Sequence, residues 1–155
     1  MALPTATMQR LRTQLDCSPI LMAGAAAGAM DRKPASGKWS ARENLAHLAR
    51  YEGIFLERVS RILTESDPVF PGYKAEEDAQ WPQWSSLPSD EILKRLQAQR
   101  ATMVERFTGL GDAELTRSGV HSRFGKLTLL QWLEFFLLHE AHHLLAVLQR
   151  MHERD

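Results

Sequence analysis

Near its C-terminal end the chain reads FFLLHEAHHLLAVLQR, residues 135–150, with His139, His142 and His143 inside five positions. Imidazole is a common ligand for transition metals, and spacing decides which rings can share one ion. On a helix, residues four apart are neighbours on one face, so His139 and His143 form the plausible chelate and His142 is rotated away from them. The same letters also spell H-E-x-x-H, the pattern of zinc metalloproteases. That chemistry takes a third ligand from a later element. After His143, His152 and Glu153 only continue the same helix, so the metalloprotease reading is set aside.

The third ligand is expected from a facing helix. Ser40-x-x-Glu43 is a capping box, in which each side chain satisfies a backbone N–H that the first helical turn leaves orphaned. It predicts a helix from Ser40 to about Glu65. Its apolar stripe is Leu45, Leu48, Phe55, Val59 and Leu63, with His47 on the flank one turn before Tyr51. Thr128-x-x-Gln131 is a second capping box and opens a last helix to about Met151. There Leu129, Leu133, Leu137, Leu144, Val147 and Leu148 make the stripe, while Gln131, Glu134, Gln149 and Glu153 mark the solvent side. His139 and His143 share one flank beside Trp132 and Phe136; His142 projects towards Gln149. Helices of a bundle build metal sites from such facing positions, and His47, His139 and His143 would leave a coordination position open for water or substrate.

A third long helix is predicted from about Ser89 to Phe107, with Arg100 facing inward among Leu93, Leu96, Met103 and Phe107. Glu52 and Glu140 also point into their apolar stripes, where a bare carboxylate is costly to bury. An ion pair or triad with Arg100 accounts for all three. Glu140 is in addition a candidate catalytic helper, as a proton acceptor beside the metal. Residues 5–15 form a first amphipathic piece, and Ser18-Pro19 supplies an N-cap and a first-turn proline for a helix expected to reach about Met30.

Between helices, residues 31–38 read as a loop, and residues 66–88, with Pro68, Pro71, Pro82 and Pro88, as a long one. Tyr73, Trp81 and Trp84 would anchor it to the bundle or cover the site. The connector 109–126 is expected to hold one short helical turn, and strand signals are nearly absent throughout. His121 in that connector is a candidate to support the metal ligands or face substrate, or else a loop anchor. Trp39 reads as a staple on the helix it precedes, and Cys17 as structural.

Composition narrows the function further. Lys+Arg and Asp+Glu number 19 each, so no basic face is expected to neutralise nucleic-acid phosphates or a membrane surface. Cys17 is the single cysteine, which excludes an intramolecular disulfide and fits a reducing, cytoplasmic setting. The apolar run PILMAGAAAGAM (19–30) is too short to span a bilayer.

The blocks GKWSARENLAHLARYE (37–52), GVHSRFGKLTLLQWL (119–133) and HEAHHLLAVLQ (139–149), with Arg100 between them, resemble the DinB-like (YfiT-like) family of metal-binding four-helix proteins over nearly the whole chain. The resemblance implies a three-histidine divalent metal site at His47, His139 and His143. It also implies a kinship to transferases and isomerases in which the metal activates a low-molecular-weight thiol such as bacillithiol or mycothiol. The expectation is an all-α single domain over residues 1–155, an up-down four-helix bundle with the long loop between its second and third main helices. One divalent metal is expected, zinc or nickel ahead of iron, manganese or copper, with a low-molecular-weight thiol as a possible co-substrate. The reaction expected is thiol transfer or hydrolysis on a small molecule, with a non-catalytic metal-binding bundle as the alternative. A homodimer is a further expectation, from apolar residues left over near the helix ends.

Overall fold

Both capping boxes form, and each starts a helix of 24 residues. Ser40 accepts from the Glu43 backbone N–H and Thr128 from that of Gln131, while Glu43 and Gln131 reach back to the cap residues. In chain order the computed structural model, which describes residues 3–153, begins with α1 (Thr5–Thr13). A 3-10 turn (Gln14–Cys17) leads into α2 (Ser18–Met22), followed by α3 (Ala41–Thr64). Next come β1 (Val69–Phe70), the short α4 (Trp81–Ser85) and the long α5 (Ser89–Thr108). The turn α6 (Asp112–Leu115), the strands β2 (Ser118–His121) and β3 (Gly125–Thr128), and α7 (Leu129–His152) complete it. The protein is a four-helix bundle in which α3 packs against both α5 and α7, and α1 against α5 and α7.

Two apolar clusters fill the bundle. One gathers Phe55, Val59 and Ile62 of α3 with Met103 and Phe107 of α5 and Trp132, Phe136 and Leu137 of α7. The other gathers Leu45 and Leu48 with Ile92, Leu96, Leu144 and Val147. Along each helix the residue between the clusters is charged: Glu52 on α3, Arg100 on α5, Glu140 on α7. Arg100 donates from Nε and Nη2 to the two Glu52 oxygens at 2.8 and 3.0 Å, and also from Nη2 to Glu140. Gln14 Nε2 donates to the other Glu140 oxygen at 2.8 Å, and Arg100 Nη1 to the Leu11 carbonyl at 3.1 Å. Every helix of the bundle therefore meets in one satisfied polar layer, the arrangement that makes a buried charge tolerable. Burial lifts the Glu52 carboxyl to about 7, the loss of water outweighing the bonds from Arg100.

Three expectations need correction. The second helical piece stops at Met22 rather than near Met30, because Gly24 and Gly28 adopt φ of +71° and +78° and turn the chain. Ser18 is not its cap; the Ser18 hydroxyl donates to the Leu15 carbonyl instead. The connector is more than loop: β2 pairs with β3 antiparallel and with β1 parallel, giving a small sheet in the order β1-β2-β3. Two-residue and four-residue strands carry too little alternation to announce themselves. Gly119 is required at the middle of β2, since a Cβ there would lie 2.8 Å from the Phe70 ring and 3.0 Å from Ile62. Gly125, at φ +74°, makes the turn into β3. Arg117, just before β2, donates to the Ile62 and Glu65 carbonyls at the end of α3, locking the sheet to the bundle.

Leu148, placed on the apolar stripe, is 37% exposed, and Leu138 and Leu145 are more exposed still. No helix among the described residues is long and apolar enough to cross a membrane.

Candidate metal centre

The capping box of α3 sets the phase of that helix, and the phase puts His47 opposite the His139/His143 flank of α7. One ring nitrogen from each of the three histidines lies within 4.8 Å of the other two. His47 Nε2 and His139 Nε2 are 3.1 Å apart. The ring centroids of His143 stand 4.4 Å from His47 and 4.6 Å from His139. His142, as helical geometry requires, is exposed and outside the group.

The rings are neutral. Burial, followed by the neighbouring histidines, pushes His47 down to about 3 and His143 to about 2; burial and then His142 bring His139 to about 4. Neutral imidazole is the form that ligates a metal. The tautomer of His143 follows from a residue that sequence reasoning passed over. Asn44, one turn before His47, donates from Nδ2 to the Ser40 carbonyl at 2.8 Å, so its Oδ1 is turned to His143 Nδ1 at 2.8 Å. His143 Nδ1–H donates to it, and the Nε2 lone pair is left for a ligand.

His47 Nε2 and His139 Nε2 face each other at 3.1 Å, while the Nδ1 atoms of both rings are buried without a partner. Two nitrogens at that separation suit a shared ion, since zinc–nitrogen bonds of about 2.0–2.1 Å span a similar gap around a tetrahedral centre. The donor set of three neutral imidazoles therefore fits a divalent transition metal.

Aromatic rings wall the cluster. Trp39 is more than a staple: its ring stands 5.0 Å from His47 and 6.0 Å from His143. Tyr51 packs at 4.6 Å on His139, and Tyr73, from the 66–88 segment, at 5.6 Å on His47. Asp78 pins that segment, accepting from Arg50 Nε at 2.6 Å and from the Tyr73 hydroxyl at 2.9 Å. Trp81 packs against Trp39 in a tilted pair with centroids 5.1 Å apart, whereas Trp84 lies under Arg95.

The other two candidate residues lie apart from the ligand cluster. Glu140 is 1% exposed and held in the Arg100 layer. His121, at the end of β2, is outside the cluster; its Nδ1 accepts the backbone N–H groups of Arg123 and Phe124 at 3.0 and 3.2 Å. It nevertheless lines a cleft of about 300 Å³ together with His139, Tyr51, Tyr73 and Arg58.

The model of the DinB superfamily matches residues 10–147. Among solved structures the chain is similar to YfiT from Bacillus subtilis, described as "a probable metal-dependent hydrolase with an unusual four-helix bundle topology". The two share 20% identity at a TM-score of 0.78, over 94% of this chain and 85% of that one. No curated protein matches.

Proposed function

The chain belongs to the DinB superfamily, and from that premise we propose that it is a metal-dependent enzyme acting on a small molecule, with one divalent ion held by His47, His139 and His143. The observation that carries this is the convergence of one ring nitrogen from each of the three histidines within 4.8 Å of the others, in rings whose burial favours the neutral, ligating form. The similarity to a protein described as a probable metal-dependent hydrolase supports the same reading. Bound there, a divalent ion would act as a Lewis acid and lower the pKa of a water or a thiol at the open position. Hydrolysis and transfer involving a low-molecular-weight thiol are the two reactions such a site serves. Imidazole donors suit zinc and nickel first.

The chain's own residues orient and shield. Asn44 holds His143 in the tautomer that presents Nε2. Trp39, Tyr51 and Tyr73 keep bulk water from the three rings. Glu140, through Arg100 and Gln14, fixes the α7 turn that carries His139, and so enters as a positioning residue. Three ligands among the described residues, flanked by a cleft that His139 lines, favour a working site over a structural metal clip.

The test is elemental analysis of tag-free protein beside His47→Ala and His143→Ala. About one metal per chain in wild type and none in either variant is expected. Metal retained by His47→Ala would overturn the cross-helix site.

A further inference from the structure

Among the described residues two arginines are more than nine-tenths buried, and they are treated differently. Arg100, 5% exposed, has two carboxylates. Arg58, 6% exposed, has none among the described residues. Its Nη2 donates to the Pro71 carbonyl at 2.9 Å and its Nη1 makes a long bond of 3.4 Å to the Tyr51 hydroxyl. The guanidinium stands 5.4–5.8 Å from the ring centroids of Tyr51, Phe70 and Trp132, so aromatic faces supply what negative potential it has. Those two bonds use two of its five donors, and an unpaired buried cation is costly enough to ask what it is kept for.

Its surroundings answer. Arg58 lines the cleft beside His139, together with Tyr51, Tyr73, His121 and Phe124. His121 accepts two backbone N–H groups on Nδ1, so its proton sits on Nε2, a second donor in the same cleft. Phe124, stacked on His121 with centroids 4.7 Å apart, is 51% exposed and offers an apolar face at the rim. A cation, a neutral N–H donor and an aromatic wall make a recognition set for an anion attached to an apolar body.

We propose that this cleft binds the carboxylate of an otherwise apolar small molecule, with Arg58 as the anion anchor, His121 Nε2–H as a second donor and Phe124 against the apolar part. The inference rests on the metal-enzyme reading only in making this molecule the substrate. Planar carboxylate matches the guanidinium fork of Arg58, the buried one of the two arginines (Arg58 and Arg123) that line the cleft.

Benzoate is the probe, titrated by calorimetry into the full chain, both metal-free and zinc-loaded. We expect binding in both forms, with a shift of the Arg58 Nε–H resonance in wild type, an observation that needs no variant to fold. Arg58→Met is expected to weaken benzoate by about tenfold or more, and Arg58→Lys by less, because it keeps the charge and loses the fork. Unchanged affinity in Arg58→Met would overturn the proposal. So would benzoate binding confined to the zinc-loaded form, which would put the anion on the ion, or displacement by inorganic phosphate at equal concentration, which would put phosphate in its place. His47→Ala separates the two readings, since it should lose metal and keep benzoate. A wild type that takes up no metal yet binds benzoate through Arg58 would overturn the metal enzyme and leave the carboxylate subsite standing.

Discussion

His47 Nε2 and His139 Nε2 meet at 3.1 Å although 92 residues separate them in the chain. The contact joins α3 to α7 at a level where both faces are otherwise apolar or aromatic, and neither ring has a partner on its far nitrogen. With the ring protons on Nδ1, the two Nε2 lone pairs are turned to the same point.

Asn44 should matter to the metal more than to the fold. Asn44→Ala removes the acceptor for His143 Nδ1–H and frees the ring to take the wrong tautomer. Metal affinity is expected to fall by about 10–100-fold, as for other partners behind a ligating histidine. Competition with a chromophoric chelator measures it, with circular dichroism to show the helices retained.

The charged layer should behave oppositely. Arg100→Met leaves Glu52 and Glu140 buried together without a cation and is expected to cost about 3–5 kcal/mol in urea denaturation. Glu140→Gln should cost clearly less, since its amide oxygen still accepts from Arg100 and Glu52 still neutralises the charge.

Acid should unfold the metal-free protein early. His47, His139 and His143 titrate at about 3, 4 and 2 in the fold, against 6.5 in the unfolded chain. Their contribution to stability is present above pH 6.5 and is lost as pH falls towards those folded values. Glu52 works against them: raised from 4.5 to about 7, it favours the fold most below pH 4.5, and this is lost as pH rises through 7. Three histidines outweigh one carboxyl, so between pH 6.5 and 4.5 the unfolded chain binds more protons and stability falls as pH falls. Chelator-treated protein melted at half-unit steps from pH 7 to 5 should show Tm falling steeply; a flat profile would mean the rings are not buried neutral.

Gly119→Ala tests whether the sheet and the metal centre are separable. The added Cβ must displace Phe70 or Ile62, at an expected cost of about 1–3 kcal/mol. All three histidines stand on helices, so metal stoichiometry should be unchanged while benzoate binding at His121 weakens.

Much of the histidine cluster could be read before any fold was known, and particular residues show why. The i, i+4 spacing of His139 and His143 and the phase set by Ser40 and Thr128 are local properties of a helix, written in side chains a turn apart. The three inward charges could be paired on cost alone, because Glu52, Arg100 and Glu140 each break an apolar stripe.

What stayed hidden depends on contacts between distant segments. β1 and β2 are short strands stabilised by pairing with each other across some 50 residues, and no local pattern records that. Nothing in the first turn of α3 records that α7 brings His143 to Asn44. Nothing in the residues beside Arg58 records that Phe70 and Trp132 close around it. Helical period and capping chemistry act within a few residues, so the sequence alone determined the long helices and the faces on which the three histidines stand. The choice of which nitrogen is free, which arginine lacks a counter-ion and where a cleft opens belongs to side chains that meet only when the bundle packs, and the tertiary structure alone decided it.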